Sequence, residues 1–261
     1  ESFPGAVLNL STGTSLPAIL ANNEALPSGP LDVVVVRDAA GNVGLGCSAQ
    51  QFTDSGITEG GNQLAVVVRG DCARVAKAIY GQQAGAAAVL QLNTDPGYPP
   101  FEGDITSNPD DGTPYVVTIP YLGVRSTDRD AVLADEGGTV SLASAPLSNP
   151  GFRGYGSFSS SGPRNGDSAI SPNVAAPGVS IVSTGVGTGS DGATISGTSM
   201  AAPHVAGVAA LAVQSHPPWN AAEIAAALVT TADPEKVAGQ NVVRGGLGLV
   251  EDVTDQSLAE E

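Results

Sequence analysis

Ser199 is the residue of this chain whose type and setting best suit covalent chemistry. It stands in a turn of small residues, after Ser196 and Gly197, and a nearly all-apolar segment follows at once over 200–213. Because this segment offers water no polar face, it predicts a buried helix. The N-terminus of such a helix carries unpaired N–H groups and partial positive charge, which would stabilise an anion developing beside the serine oxygen.

Two interpretations of Ser199 fit this local pattern. Serine is a common helix N-cap, so Ser199 could simply cap the buried helix. The longer string Gly-Thr-Ser-Met-Ala-Ala-Pro-His-Val-Ala-Gly at 197–207 favours a nucleophile instead, because it resembles the nucleophile motif of the subtilisin-like serine proteases at every position. The resemblance implies that Ser199 forms an acyl-enzyme during hydrolysis of a peptide bond.

Three further segments resemble the same family. Residues 157–163 (SFSSSGP) and 171–179 (SPNVAAPGV) are similar to segments that precede its nucleophile, although Asn173 stands where aspartate is usual. Residues 243–250 are similar to its closing turn and strand. The resemblance covers Gly151–Val253 and implies the C-terminal part of a subtilisin-like α/β domain with a parallel sheet.

The sequence supplies no evident general base for Ser199, although a serine nucleophile needs one. The chain has two histidines. His204 follows the serine by five residues, which on a helix is a rotation of about 140° and a rise of about 7.5 Å, so its ring points away. His216 lies in a proline-rich segment at the end of the predicted helix. No stretch resembles the family's aspartate or histidine motifs, so we expect this segment to be inactive alone.

Asn42 is a candidate donor to the oxyanion. Residues 33–42 faintly resemble the strand that ends in the family's oxyanion-hole asparagine. However, Cys47 follows Asn42 by five residues, which is too soon for the family pattern. The same strand also fits as the first strand of a second module, which is described next. The alternative that Asn42 has no catalytic role therefore stays open.

That module is indicated by the order of several motifs. The motifs resemble those of a protease-associated (PA) domain in their order along the chain. They are Cys47, Val-Val-Val-Arg-Gly-Asp-Cys at 66–72, Lys77, residues 83–89 and Asn93. The resemblance implies a lid that controls substrate access or protein contact, without catalytic residues of its own. It also implies a disulfide between Cys47 and Cys72, which their spacing alone leaves undecided.

The chain divides into four predicted regions. Residues 1–30 are predicted to be a connecting segment with a short strand near Ala6–Leu10. An α/β PA domain is expected over 31–148 and the C-terminal part of the peptidase domain over 149–255, followed by an acidic tail at 256–261.

Hydrophobic periodicity and turn residues predict the elements within these regions. The predicted strands are Leu31–Val36, Leu64–Arg69, Ala86–Leu92, Tyr115–Ile119, Thr139–Ala143 and Val179–Val182. The predicted helices are Ala73–Ala84, Val124–Glu136 and Ala221–Thr231. The last of these has Asn220 as N-cap and Glu223 as the partner in a capping box.

Composition narrows the function further. The 261 residues carry a net charge of −16, which disfavours nucleic acid and anionic membranes as partners. No apolar run is long enough to predict a membrane span. The family resemblance leads us to expect an extracellular protein with polypeptide substrates, and the missing front part of the domain as a partner. No cofactor is predicted; structural calcium is common in the family, but no ligand cluster identifies a site. The alternative function is a non-catalytic protein-binding module.

Overall fold

The computed structural model describes residues 2–149, 151–187, 189–190 and 192–251. The chain forms two compact units, Glu1–Asn149 and Pro150–Glu261. Mixed α/β content is confirmed. The predicted acidic tail at 256–261 lies outside the described residues.

The first unit is a seven-stranded closed barrel, in the order β2-β3-β7-β6-β5-β4-β8. Strands β4 to β7 pair in parallel, and the remaining pairs are antiparallel. A separate short pair joins β1 and β9. The strands of the unit are β1 (Ser2–Phe3), β2 (Gly5–Leu10), β3 (Ser15–Leu20), β4 (Leu31–Val35), β5 (Gln63–Val68), β6 (Ala88–Leu92), β7 (Tyr121–Val124), β8 (Thr139–Ser144) and β9 (Leu147–Ser148).

In the described part of the first unit, the α-helices beside the barrel are α1 (Ala49–Asp54), α2 (Arg74–Gln83) and α3 (Arg129–Leu133). One apolar cluster fills the barrel with side chains such as Leu8, Leu64 and Leu122. A second cluster, including Phe52 and Ile79, lies between the barrel and the helices α1 and α2. The apolar run of β6 is buried at every position because neighbouring strands and both clusters surround it.

The predicted strand near Ala6–Leu10 is confirmed as β2, but residues 1–30 are more than a connecting segment, and that part of the prediction is wrong. Both β2 and β3 belong to the barrel, and β2 closes it by pairing with β8. Pro17 in β3 disfavours a strand by its residue type alone. It is accommodated in β3 directly opposite Val7 of β2, because a proline is tolerated in a strand where its missing N–H is not needed by the ladder.

Two predicted elements between residues 115 and 136 also differ. Tyr115–Ile119 is not a strand; the strand that pairs with β6 on the side away from β5 is β7, which begins two residues after Ile119. The predicted helix Val124–Glu136 shrinks to α3, preceded by a 3₁₀ turn at Ser126–Asp128. Buried Tyr121 and Leu122 decide this register, because long-range strand pairing outweighs local helical spacing.

The predicted disulfide between Cys47 and Cys72 is confirmed. The Cα atoms are 5.7 Å apart, and the bond joins the segment before α1 to the segment before α2. The predicted helix end at Gly85 is also confirmed: Gly85 has a φ of +96°, directly after the C-cap Ala84.

A buried ion pair anchors the long segment between β6 and β7. Glu102 is 8% exposed and accepts a bond from Arg74 Nε at 2.5 Å, while its backbone N–H donates to Ala21 O at 2.7 Å. Burial raises the pKa of Glu102, although the nearby Arg74 and Arg69 act in the opposite direction. The charged form of this carboxyl is therefore disfavoured by folding.

We predict that Glu102→Gln changes how the stability of the chain depends on pH. Because folding raises the pKa of Glu102, the folded state binds more protons than the unfolded state just above the ordinary glutamate pKa. Wild-type stability should therefore rise relative to the variant as the pH falls from neutral through the raised pKa of Glu102 towards the ordinary glutamate value. Urea unfolding followed by circular dichroism at several pH values measures this difference. A constant difference between the two proteins across that range would contradict the prediction.

In its described residues the second unit has a hairpin, three α-helices and a 3₁₀ turn at Pro234–Lys236. Its elements are β10 (Ile181–Thr184), β11 (Gly192–Ile195), α4 (Thr198–Ser215), α5 (Ala221–Thr230) and α6 (Val242–Gly245). The strands β10 and β11 pair antiparallel. The predicted capping box of α5 is confirmed: Asn220 Oδ1 accepts from the backbone N–H of Glu223, and the Glu223 side chain accepts from that of Asn220.

Two expectations for this unit are wrong within the described residues. No parallel sheet is formed there; the parallel pairing is one isolated bridge between Ala175 and Leu249. The helix α4 is present but is not buried, since Ala212 is its one fully covered residue. An apolar helix is covered only where other elements pack on it, and the small core around Ala212, Ile224 and Leu228 covers one side.

Candidate active site

Ser199 is the second residue of α4 and its side chain is exposed. The N-cap of this helix is Gly197, without a capping side chain. The alternative in which Ser199 serves as the N-cap is therefore wrong. Ser199 instead lies in the first turn of a long helix, where backbone N–H groups are not satisfied within the helix.

Two of the sequence segments singled out above meet at this turn. The backbone N–H of Gly197 donates to Gly178 O at 2.8 Å, and Ser180 N–H donates to Ser196 Oγ at 2.8 Å. Both contacts join the segment 171–180 to the residues just before Ser199. They fix the entry of the chain into α4 and thereby the position of Ser199.

Gly178 allows this close approach. A Cβ at Gly178 would lie 2.9 Å from the carbonyl oxygen of Gly197 and 3.3 Å from Ala201 Cβ. The Ala-Pro-Gly-Val string that contains Gly178 resembles a family segment, but the resemblance alone does not predict the contact between Gly178 and Gly197.

The two histidines are engaged elsewhere. His204 Nδ1 lies 2.8 Å from Met200 O, the carbonyl one turn earlier in the same helix. His216 follows the last residue of α4 and stacks on Trp219, with ring centroids 3.8 Å apart and planes 8° apart. The orientation of His204 agrees with the expectation that its ring points away from Ser199.

Asn42 lies in the first unit, in a tight turn after β4. Its side-chain amide donates to Asp38 Oδ2 at 3.2 Å, and its backbone N–H donates to Asp38 Oδ1 at 2.8 Å. The side chain of Asn42 thus completes a local turn closed by Asp38. This is an ordinary structural role for an asparagine and gives no support to an oxyanion role.

The second unit exposes an unusual number of large apolar side chains around α4 and the hairpin. Val182 is 68% exposed and Leu211 is 45% exposed. We call the following residues the exposed apolar set: Val179, Val182, Ile195, Leu211 and Val213. They do not share one face, because Ile195 pairs with Ile181 and therefore lies on the side of the hairpin opposite Val182.

Comparison with known proteins decides the family. The subtilase family profile (Peptidase S8) matches residues 7–249. The chain belongs to the subtilase family.

Curated relatives agree with this assignment. The chain is 31% identical over 250 residues to Subtilisin-like protease SBT1.4 of Arabidopsis thaliana, covering 88% of this chain and 30% of that protein. It is 31% identical over 194 residues to Minor extracellular protease Vpr of Bacillus subtilis (strain 168), covering 70% of this chain and 22% of that protein. The chain thus spans less than a third of the length of either relative.

Solved structures give a weaker likeness. A psychrophilic subtilisin-like protease, Apa1, from an Antarctic Pseudoalteromonas is 17% identical, with 97% of this chain and 48% of that chain covered. The TM-score is 0.34. A score this low adds no argument about the fold of this subtilase chain.

Metal and membrane contacts find no support in the described part of the chain. No cluster of three or more His, Cys, Asp or Glu side chains there is arranged to hold a metal ion. None of the helices described is long and apolar enough to cross a membrane.

We predict opposite effects for two glycine-to-alanine substitutions in this unit. Gly178→Ala should destabilise it by about 1–3 kcal/mol, because the new methyl group meets the backbone of Gly197 and forces the turn to move. Gly207→Ala should stabilise it by about 0.5–1 kcal/mol, because alanine favours a helix and a Cβ at Gly207 meets nothing within 4 Å.

Fluorescence of Trp219, the chain's one tryptophan, reports the unfolding of the second unit in urea. Equal midpoints for Gly178→Ala and Gly207→Ala would show that the approach of Gly178 to Gly197 does not hold the turn in place.

Proposed function

We propose that this chain is the C-terminal part of a secreted serine endopeptidase in which Ser199 is the nucleophile. The observation that carries the proposal is the unbroken motif at 197–207, which begins the helix α4 and places Ser199 exposed in its first turn. Membership of the subtilase family supports a peptidase role. The substrates are polypeptides.

In this proposal Ser199 Oγ attacks the carbonyl carbon of the scissile peptide bond. The backbone N–H of Ser199, at the N-terminus of α4, donates to the oxyanion that forms, and the partial positive charge of the helix end stabilises it further. A general base must take the hydroxyl proton and later deliver it to the leaving amine. Neither His204 nor His216 fits that role, so this segment by itself is inactive.

The base and its orienting carboxylate would come from the part of a subtilase that precedes this segment. The exposure of α4 supports this part of the proposal, because apolar residues such as Leu211 and Val213 on the helix that carries Ser199 are left uncovered. Packing of further α/β elements against α4 would cover them. The same packing would bring a histidine within hydrogen-bond reach of the serine.

For the first unit we propose a PA-type module. Its support is the run of motifs in the sequence together with the disulfide between Cys47 and Cys72, which the resemblance implied. Such a module carries no catalytic residue and controls access of substrate or contact with other proteins. We assign Asn42 no part in catalysis.

We place the protein outside the cell. The disulfide supports this location, because disulfides persist in oxidising compartments. One relative is described by its name as extracellular. The acidic surface agrees with an absence of nucleic-acid and membrane partners.

A second candidate function is a non-catalytic protein-binding module built from the same two units. It is favoured by the absence of a fitting base among the described residues. In this alternative, Ser199 has no chemical role and exposed apolar residues of the second unit bind another protein.

The two functions are separated by labelling with a serine-directed fluorophosphonate. We predict no labelling of the segment alone, and labelling after addition of a subtilase front-part fragment that carries the aspartate and histidine motifs. Ser199→Ala should abolish the label, with a loss of at least about 100-fold. Ser215→Ala, at the other end of α4, is the matched control and should label normally.

Labelling of the segment alone at Ser199 would contradict its inactivity. Tight binding of the front-part fragment without any labelling would favour the binding module.

A further inference from the structure

Lys77 is a buried cation beside the disulfide of the first unit, and the proposed function gives it no role. It projects from α2 and is 0% exposed. Its Nζ lies 2.5 Å from Leu45 O and 3.0 Å from Gly70 O. Each of these carbonyls belongs to the residue two positions before a cysteine of the disulfide. Lys77 therefore contacts both segments that carry the cysteines.

The charge of Lys77 is incompletely matched. Burial lowers its pKa to about 8, while the carboxylates of Asp71 and Asp110 act in the opposite direction. At neutral pH the ammonium form therefore still predominates. Among the described residues no carboxylate forms an ion pair with Nζ, whose oxygen partners are neutral carbonyls. A buried ammonium group that no carboxylate contacts would stabilise an anion that forms next to it.

The two sulfur atoms of the disulfide lie at different distances from Lys77 Nζ. Nζ is 3.3 Å from Cys72 Sγ and 3.8 Å from Cys47 Sγ. Cys72 also lies just before the first turn of the ten-residue helix α2, where partial positive charge favours a thiolate. Both cysteines are partly exposed rather than buried in the core.

We propose that the Cys47–Cys72 disulfide is a thiol-exchange site in which a small external thiol attaches to Cys47 and Lys77 receives Cys72 as the leaving thiolate. The assignment is independent of Ser199 and of the proposed function. The ligand class is a low-molecular-weight thiol.

The exchange balances without any further reagent. The thiolate of the external thiol attacks Cys47 Sγ in line with the disulfide, and a new sulfur–sulfur bond forms. The bond between Cys47 and Cys72 breaks, and its electron pair leaves on Cys72 Sγ. The ammonium of Lys77 stabilises the resulting thiolate at close range. Attack of Cys72 on the mixed disulfide reverses the step and releases the thiol.

The surrounding charges select the incoming thiol. Asp71 adjoins Cys72 and is exposed, and Asp110 lies against the start of α2, where both carboxylate oxygens accept from Ala73 N–H at 3.0–3.1 Å. These carboxylates repel an anionic thiol. A neutral or cationic aminothiol such as cysteamine should therefore react faster than an acidic thiol.

Tryptic digestion allows the modification of each cysteine to be measured separately. Trypsin cleaves after Arg37, Arg69 and Arg74, so Cys47 falls in the peptide 38–69 and Cys72 in the peptide 70–74. The folded chain is treated with cysteamine near neutral pH, trapped with N-ethylmaleimide in mildly acidic buffer and analysed by mass spectrometry. We expect cysteamine on Cys47 and maleimide on Cys72, in preference to the reverse by about five to one or more.

Variants of Lys77 test the cause of this preference. Lys77→Met should slow the exchange by about five-fold and remove the preference, because the leaving thiolate loses its counter-ion. Lys77→Arg keeps the charge and should retain the preference. Lys236→Met, at the chain's other lysine, is the control and should react like the wild type.

Equal labelling of the two cysteines in the wild type, or a preference for cysteamine on Cys72, would overturn the proposal. So would exchange in folded Lys77→Met at the wild-type rate. If circular dichroism shows that this variant does not fold, the labelling pattern of the wild type still decides. Exchange that increases in step with unfolding in urea would also count against a site in the folded protein.

Discussion

The burial of apolar surface is the constraint on which both units of this protein depend, and they meet it to different extents. The first unit closes a seven-stranded sheet on itself, so Leu8, Leu64 and Leu122 fill an interior without help from outside. The second unit has a small core around Ala212 and Ile224 and leaves Val182 and Leu211 exposed. The first unit thus has a closed core, whereas the second leaves part of its apolar surface exposed.

This difference bears directly on the chemistry of Ser199. The turn that leads to Ser199, the proposed nucleophile, is formed within the unit, because Gly178 and Ser196 hold the residues before α4. His204 is not placed as a base for this serine, because it is bonded to a carbonyl of its own helix. In the proposed function, contacts within the unit therefore position Ser199, whereas its activation would require a base from elements outside this segment.

Buried charge gives the first unit its chemical character. Glu102 is held by Arg74, whereas Lys77 has carbonyl oxygens and sulfur atoms around it. A charge buried with an opposite charge mainly anchors a segment, as Glu102 does for the chain between β6 and β7. A charge buried without one stabilises whatever anion forms beside it. Because the sulfur atoms are close to Lys77, its charge would affect the chemistry of the disulfide as well as the stability of the unit.

The sequence by itself determined the features set by local interactions and by specific motifs. The capping box of Asn220 and Glu223, the strands from Leu31 and Leu64, the helix before Gly85 and the position of Ser199 at the start of α4 all follow from neighbouring residues. The tertiary structure decided what depends on distant partners. It placed the strand containing Pro17 in the barrel, moved a predicted strand to β7 and left α4 uncovered. It also placed Lys77 Nζ 3.3 Å from Cys72 Sγ. Spacing along the chain specifies hydrogen bonds within a turn or helix, but only the closed barrel fixes which distant segments share a core, since each such contact depends on all the others.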